Sequence, residues 1–190
     1  MFDSLRRDAV RYVQLGGWYR NLGFYVGATY RFGAWAHSFR YAALRVPLMA
    51  LYYLVRLPWR LFFNVQIDPA ARIGPGLCLI HPHSVLIPAT EVGRDCLVFH
   101  EVTIGTNICA PEMPKIGNGV DIYVGARVLG DIVVGDHAKI GANCVVTSNV
   151  PAGAVVVPAP NRVVPPKLVE AISLDPGRAR HANSAGDSEG

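Results

Sequence analysis

The sequence predicts a mainly β protein, a solenoid of short parallel strands that follows an α-helical region. Three observations support this prediction. An aliphatic residue recurs every six positions over much of the chain, glycine, asparagine and aspartate fall between the recurrences, and the first 64 residues follow a different pattern. A period of six fits neither a helix nor simple strand alternation, and a fixed period indicates stacked units that share one core.

Residues 1–64 are predicted to be helical. Apolar residues and arginines occupy opposite faces from Phe2 to Leu15, and Gly16–Gly17 ends this helix. The aromatic-rich stretch that follows is expected to be broken at Pro47 and Pro58. Its longest uncharged piece from Pro47 onward is nine residues, far below the roughly 20 apolar residues that span a bilayer, so no transmembrane helix is expected.

The net charge of +4 is unevenly distributed. Residues 1–64 carry nine arginines and two aspartates, a net charge of +7, whereas residues 65–190 carry nine basic and twelve acidic residues. This balance argues against a nucleic-acid-binding surface on the repeat region. Arginines beside tryptophan and tyrosine leave two alternatives for the helices: a cap on the main domain or on a second subunit, or peripheral contact with the inner face of the cell membrane.

The repeat occupies residues 65–164. Its clearest register is Ile116, Ile122, Val128, Val134, Ile140 and Val146. Side chains two positions apart on a strand share a face, so Ala126 and Val128 are expected to enter the core together. The same interval occurs upstream, from Ile67 to Leu79 and from Val92 to Ile104, with an irregular step near residues 85–91 and a non-repeating loop at 105–115.

Composition sets further expectations. Hydrophobic residues make up 51% of the chain and charged residues 17%, which excludes a mainly disordered protein. The extension at residues 165–190 is expected to be disordered after about residue 174. Four cysteines lie far apart without a CxxC pair, which favours reduced thiols in a cytoplasmic protein, and no metal site is expected.

Several segments resemble the hexapeptide-repeat acyltransferases, and within them the serine acetyltransferase branch. These segments are VQIDPAARIGPG, HEVTIG, PKIGNGV, VGARVLGDIVVGDHAKIGANCVV and VPAPNRVV. The resemblance implies a left-handed parallel β-helix, a homotrimer with sites between subunits, and transfer of an acetyl group from acetyl-coenzyme A (acetyl-CoA) to a hydroxyl.

The resemblance also implies site residues. The family histidine falls in the segment Leu79–Pro82, so His81 is the candidate general base, a task that suits imidazole near neutral pH. His100 and His83 are further candidates to face the cleft, with a structural role and a surface position as their respective alternatives. Gly105 is the candidate backbone donor to the developing oxyanion.

Coenzyme A is expected in the groove between subunits, over the late coils. Gly125 and Ala126 match the family's contact to the pantetheine. Lys139 and Arg162 are candidate phosphate contacts, with plain solvated charges as the alternative.

The chain departs from the serine acetyltransferases at positions that serve the acceptor. Gln66 replaces the aspartate that pairs with the base, and Ile80 replaces a second aspartate. Glu112–Met113 replaces an Arg-His pair, and Glu112 would repel an amino acid's carboxylate. Asp68, Glu101 or a backbone carbonyl is left to orient the base. Gln66, Asp68, His83 and Glu112 are therefore the candidate substrate-binding residues.

Basic aromatic helices before a short β-helix also resemble the colanic-acid and exopolysaccharide acetyltransferases. The sequence therefore predicts an acetyl-CoA-dependent O-acetyltransferase that modifies a sugar hydroxyl during surface polysaccharide assembly. Serine O-acetylation for cysteine biosynthesis is the alternative, and a catalytically inactive β-helix scaffold is the second alternative.

Overall fold

The computed structural model of the 190-residue chain describes residues 1–13, 15–106 and 112–160. Within these residues, three α-helices precede the strands: α1 (Phe2–Val13), α2 (Leu22–His37) and α3 (Ala42–Phe63). A short 3-10 helix, Trp18–Arg20, connects α1 to α2. The prediction of a helical N-terminal region is confirmed.

Helix α3 runs through both of its prolines, so the expectation that Pro47 and Pro58 break it is wrong. Both prolines are exposed, which leaves the carbonyl groups that lose their N–H partner accessible to water. Tertiary contacts hold the opposite side of α3: the ring of Tyr52 fills the space where Gly33 of α2 lacks a side chain. The Trp59 Nε1 group also donates a hydrogen bond of 3.0 Å to Thr29 Oγ1.

Fourteen short strands follow in the described part of the chain. They are β1 (Gln66–Ile67), β2 (Arg72–Ile73), β3 (Cys78–Ile80), β4 (Leu86–Ile87), β5 (Glu91–Val92), β6 (Leu97–Phe99), β7 (Thr103–Gly105), β8 (Lys115–Ile116), β9 (Asp121–Ile122), β10 (Arg127–Leu129), β11 (Val133–Val134), β12 (Lys139–Ile140), β13 (Val145–Val146) and β14 (Val155–Val156).

These strands form three parallel sheets, ordered β1-β4-β7-β10-β13, β2-β5-β8-β11 and β3-β6-β9-β12-β14. Successive strands belong to different sheets, so the chain turns a corner after each strand and three strands complete one coil. This architecture confirms the predicted left-handed parallel β-helix.

The predicted register forms the core of the solenoid. Each of the six aliphatic residues from Ile116 to Val146 is buried, and so are Ala126 and Cys144. Full burial of one such aliphatic side chain contributes about 1.5–3 kcal/mol relative to exposure. Stacking of the coils thus generates a continuous apolar interior along the whole solenoid.

The irregular step begins earlier than predicted, in the corner between β3 and β4. Five residues, 81–85, separate these strands, whereas three residues, 100–102, separate β6 from β7 at the same corner of the next coil. His81 and Ser84 adopt φ values of 49° and 50° within this corner. The longer corner is thus accommodated between two strands that keep their parallel partners.

A buried polar network fixes α1 and α2 to the first coil. Arg31 Nε of α2 lies 2.9 Å from Asp8 Oδ2 of α1, and Arg31 also donates to the carbonyls of Ile73 and Gly74. Asp8 Oδ1 accepts a hydrogen bond of 2.9 Å from the Leu77 backbone N–H. The two helices therefore form one folded body with the start of the solenoid.

Candidate active site

The predicted base, His81, lies in the first position of the long corner after β3. Its side chain is exposed and lines a cavity of about 380 Å³ together with His83. Its φ of 49° resembles that of other corner residues of the solenoid, such as Ser84, Asp95 and Glu101, so this conformation belongs to the turn. The imidazole is therefore presented to solvent and not sealed inside the coil.

His100 occupies the equivalent corner one coil later. Strands β3 and β6 pair in register, with Ile80 opposite Phe99, so the residues that follow them stack on each other at the strand spacing. The ring centroids of His81 and His100 are 6.5 Å apart at an angle of 69°. Two imidazoles that are 19 positions apart in sequence are thus brought together.

The ring of His100 is incompletely hydrogen-bonded. Its Nδ1 atom is buried and has no hydrogen-bond partner among the described residues. A buried polar atom without a partner is costly and unusual in a native protein. The His100 carbonyl, in contrast, accepts a hydrogen bond of 3.2 Å from the Gly125 backbone N–H, which fixes the backbone beneath the ring.

The helical region contributes to the same cavity. Arg20, Asn21, Gly23 and Phe63 line it together with the histidines. Sequence reasoning missed these four residues, because Arg20 is one of nine arginines in a segment without a motif. Only the packing of α2 against β3 identifies it.

The turn of residues 81–84 separates this cavity from a second one of about 330 Å³. Gln66, Ser84, Glu101 and Arg127 are among the residues that line the second cavity. Gln66 Nε2 donates to Asn64 Oδ1 at 3.4 Å. The predicted substrate residue Gln66 and the candidate orienting residue Glu101 thus share a cavity that excludes His81.

Asp68, the other candidate for orienting the base, has a local role in the structure. Its Oδ1 atom accepts a hydrogen bond of 2.8 Å from the Ala70 backbone N–H, an arrangement that stabilises a turn. Glu112 is exposed and lines neither of the two cavities beside the turn.

The remaining predicted site residues do not line the His81 cavity. Gly105 ends β7, and a Cβ atom there would meet only Leu129 Cδ2, at 3.9 Å, so its outer side is open. Gly125 has φ +70°, Ala126 points into the core, and Lys139 Nζ lies 3.9 Å from Asp121 Oδ2. Arg162 lies outside the described residues.

A larger cavity, about 910 Å³, lies between α1 and a different corner of the solenoid. Arg6, Arg7, Arg11, Asp95 and His137 are among the residues that line it. The Arg7 guanidinium, 2.5 Å from Asp95, lowers the pKa of that carboxyl. None of the sequence-predicted site residues lines this cavity, so its size does not make it the catalytic site.

Cysteine and metal chemistry find no support in the described residues. Burial raises the pKa values of Cys78 and Cys96 to about 11, so these thiols stay protonated and inert near neutral pH. Cys109 lies outside the described residues. Across residues 1–13, 15–106 and 112–160, no three His, Cys, Asp or Glu residues are grouped in a way that could hold a metal ion.

Residues 113–148 match the family model of the bacterial transferase hexapeptide (six repeats). A serine acetyltransferase of Helicobacter pylori is 43% identical over 101 residues, which are 52% of this chain and 59% of that protein. The chain thus spans less than two thirds of this curated relative.

Two solved structures are similar to the present one. The soybean serine acetyltransferase apoenzyme has a TM-score of 0.65 and 30% identity, covering 85% of this chain and 69% of that one. A Brucella abortus serine acetyltransferase in complex with coenzyme A has a TM-score of 0.67 and 29% identity, covering 85% and 66%.

These similarities correct the acceptor predicted from the sequence. The curated relative and both structural neighbours are serine acetyltransferases, and the predicted resemblance to polysaccharide acetyltransferases finds no support among them. The prediction of a sugar acceptor is therefore contradicted, and the alternative of serine O-acetylation is favoured.

Proposed function

We propose that this chain, which belongs to the serine acetyltransferase-like hexapeptide-repeat transferases, is an acetyl-CoA-dependent serine O-acetyltransferase. The observation that carries the proposal is His81, which is exposed at the corner after β3 and lines a cavity. Similarity to proteins named serine acetyltransferase supports the acceptor, and the complex of one neighbour with coenzyme A supports the donor.

In the proposed reaction, His81 removes the hydroxyl proton of L-serine while the serine oxygen attacks the thioester carbonyl. The carbon–sulfur bond then breaks, and the proton passes from the imidazolium to the departing thiolate. The products are O-acetyl-L-serine and the free thiol of coenzyme A. A backbone N–H, for which Gly105 is the candidate, stabilises the oxyanion between these two steps.

His100 acts in this proposal as a positioning residue. Its ring meets that of His81 edge-on, and the hydrogen bond from Gly125 to its carbonyl holds the corner in place. His100 thus replaces Asp68 and Glu101 as the residue proposed to orient His81. Neither of those carboxylates lines the His81 cavity.

We further propose a homotrimer in which coenzyme A lies between subunits against Gly125 and Lys139, because Ala126, the third residue predicted for this contact, is fully buried in the core. Exposed valines on the outer faces of the late strands, Val145 of β13 and Val155 of β14, supply apolar surface that a second copy would cover. Light scattering after gel filtration tests the assembly, and a monomer would contradict it.

The proposed location is the cytoplasm, against the inner face of the membrane. The described cysteines Cys78, Cys96 and Cys144 are unpaired, which suits a reducing compartment. No helix among the described residues has the length and apolar character that spanning a bilayer requires.

The outer face of α3 is the part that would contact the membrane. Leu54, Leu57, Leu61 and Phe62 form an outer stripe at helical spacing, and Leu54 and Phe62 are 67% and 75% exposed. The helix carries three arginines and no acidic residue. A second copy would bring arginines against arginines, so the charge favours anionic lipid as the partner of this outer stripe.

The activity assay is direct. The full chain is incubated with acetyl-CoA and L-serine. The free thiol of coenzyme A is measured with a colorimetric thiol reagent, and the acetylated product is identified by mass spectrometry. O-acetylserine is the expected product. Absence of this product from folded protein would contradict the proposal and favour the scaffold alternative.

A further inference from the structure

The cavity that presents His81 also contains a cation from the helical region. Arg20 lines it together with His81 and His83, and no aspartate or glutamate is among its lining residues in the described chain. Arg20 therefore places a positive charge in the cavity that no lining carboxylate offsets. Its volume of about 380 Å³ is within the range of small-molecule sites.

L-Serine requires a cation at its site because it carries a carboxylate. Serine acetyltransferases, by the resemblance described above, have an Arg-His pair where this chain has Glu112 and Met113. Glu112 cannot bind a carboxylate, and it does not line the His81 cavity. If the chain acetylates serine, a cation from a different part of the chain would give that carboxylate a charge-assisted partner.

The backbone around Arg20 is fixed relative to His81. Arg20 ends the 3-10 helix, and Asn21 Nδ2 donates hydrogen bonds of 3.0 Å and 2.7 Å to the carbonyls of Leu15 and Gly17. Two residues later, Gly23 packs so tightly against the Leu79 carbonyl that any side chain would collide with it.

Tyr12 fixes the same junction from α1. Its hydroxyl accepts a hydrogen bond of 2.7 Å from the Leu79 backbone N–H and donates one of 3.1 Å to the Leu79 carbonyl. Leu79 lies two residues before His81. The start of α2 is therefore held against the strand that delivers the base.

The guanidinium of Arg20 is available for a ligand. Its side chain is exposed, and it makes no ion pair or hydrogen bond with any residue the structure describes. Arg7, Arg31 and Arg72, in contrast, each pair with a carboxylate.

We infer that Arg20 binds the carboxylate of L-serine and so directs the serine hydroxyl toward His81. This inference rests on the proposed function. The guanidinium can contact both oxygens of one carboxylate, which fixes the direction of the acceptor as well as its place. The acceptor site is then shared between the helical region and the solenoid.

Kinetics with two acceptors test this subsite. L-Serinamide has the hydroxyl and the amine of serine but no carboxylate. In Arg20→Gln we expect the KM for L-serine to rise about 10- to 100-fold, the range for loss of one charge-assisted interaction. The KM for acetyl-CoA should stay within about twofold, and the preference for serine over serinamide in kcat/KM should disappear.

Two further variants complete the test. Arg20→Lys retains the positive charge but not the planar guanidinium that can contact both carboxylate oxygens. It should recover part of the preference for serine. Arg40→Gln removes an exposed arginine that lines none of the cavities at the site and should leave both acceptors unaffected. An unchanged serine KM and an unchanged preference in Arg20→Gln would overturn the inference while serine acetylation stands.

A binding measurement separates this inference from the proposed function. Trp18 lies in the same 3-10 helix as Arg20, so its fluorescence can follow titration with L-serine in the absence of acetyl-CoA. Serine binding that Arg20→Gln abolishes would support the subsite even if no O-acetylserine forms. Wild-type protein that neither binds nor acetylates serine would overturn both.

Discussion

The helical region and the solenoid bury their apolar residues in opposite ways. In the solenoid, the repeated aliphatic residues point inward and are almost completely inaccessible. In α3, Tyr52 is the only buried residue, while most of its leucines remain exposed. The solenoid therefore completes its core within one chain, whereas the helical region retains an exposed apolar surface on α3.

The two regions also differ in charge. Between residues 9 and 67 the chain carries seven arginines and no acidic residue, whereas the solenoid carries charges of both signs. The His81 cavity lies where the two regions meet, with Arg20 from one and His81 from the other. The solenoid thus carries the proposed base, and the helical region carries the positive charge.

The largest expected effect is the loss of activity when His81, on the solenoid side of the cavity, is replaced. His81→Ala should lower kcat/KM by about 10²- to 10⁴-fold, because a general base contributes that much. Steady-state kinetics with acetyl-CoA and L-serine measure the loss. His37→Ala, an exposed histidine of α2, is the matched control, and equal activity in the two variants would remove His81 from the mechanism.

The next comparison concerns stability. Ile122→Ala inside the solenoid should lower the free energy of unfolding by about 2–5 kcal/mol, because it leaves a cavity in a packed core. Leu54→Ala on the outer stripe should change it by less than about 0.5 kcal/mol in detergent-free buffer. Urea titration followed by circular dichroism measures both values. Similar losses of unfolding free energy in the two variants would show that the outer stripe of α3 is buried in solution.

Binding to lipid separates the two surfaces directly. Leu54→Glu places a carboxylate on the outer stripe and should weaken sedimentation with phosphatidylglycerol vesicles at least about tenfold. Val133→Glu changes an exposed valine of the solenoid and should have no effect. Equal binding by both variants, or equal binding to neutral phosphatidylcholine vesicles, would contradict membrane contact through α3.

The smallest effect comes from the buried thiols of the solenoid. Their pKa values near 11 in the folded state lie above the ordinary value of 9.0, so the folded state binds more protons and stability falls as pH rises from about 9 to 11. At pH 10 each thiol should account for about 1 kcal/mol of this loss. Comparing urea titrations of wild type and Cys96→Ala at pH 8 and pH 10 isolates the contribution, and identical pH dependence would contradict it.

Sequence reasoning succeeded where one local rule repeats. The six-residue period places Ile122, Val128 and Val134 inside the coil, because each coil obeys the same strand geometry. It failed at Pro47 and Pro58, where local helix propensity is overridden by the packing of α3 on α2.

Only part of the candidate site could be predicted from the sequence. His81 and His100 follow strands that stack in register, so both could be named from the repeat and the family resemblance. Arg20 could not, because its approach to His81 depends on Gly23 meeting Leu79, a contact between segments 56 positions apart. No periodicity in the sequence encodes that contact.

The long corner after β3 has a wider consequence for proteins of this architecture. Its two additional residues leave β4 and β7 aligned with their neighbours, so a loop bearing new chemistry can be grafted there without shifting the coils above it. Transplanting residues 80–86 to the matching corner of an inert solenoid would then carry the histidine to a new scaffold.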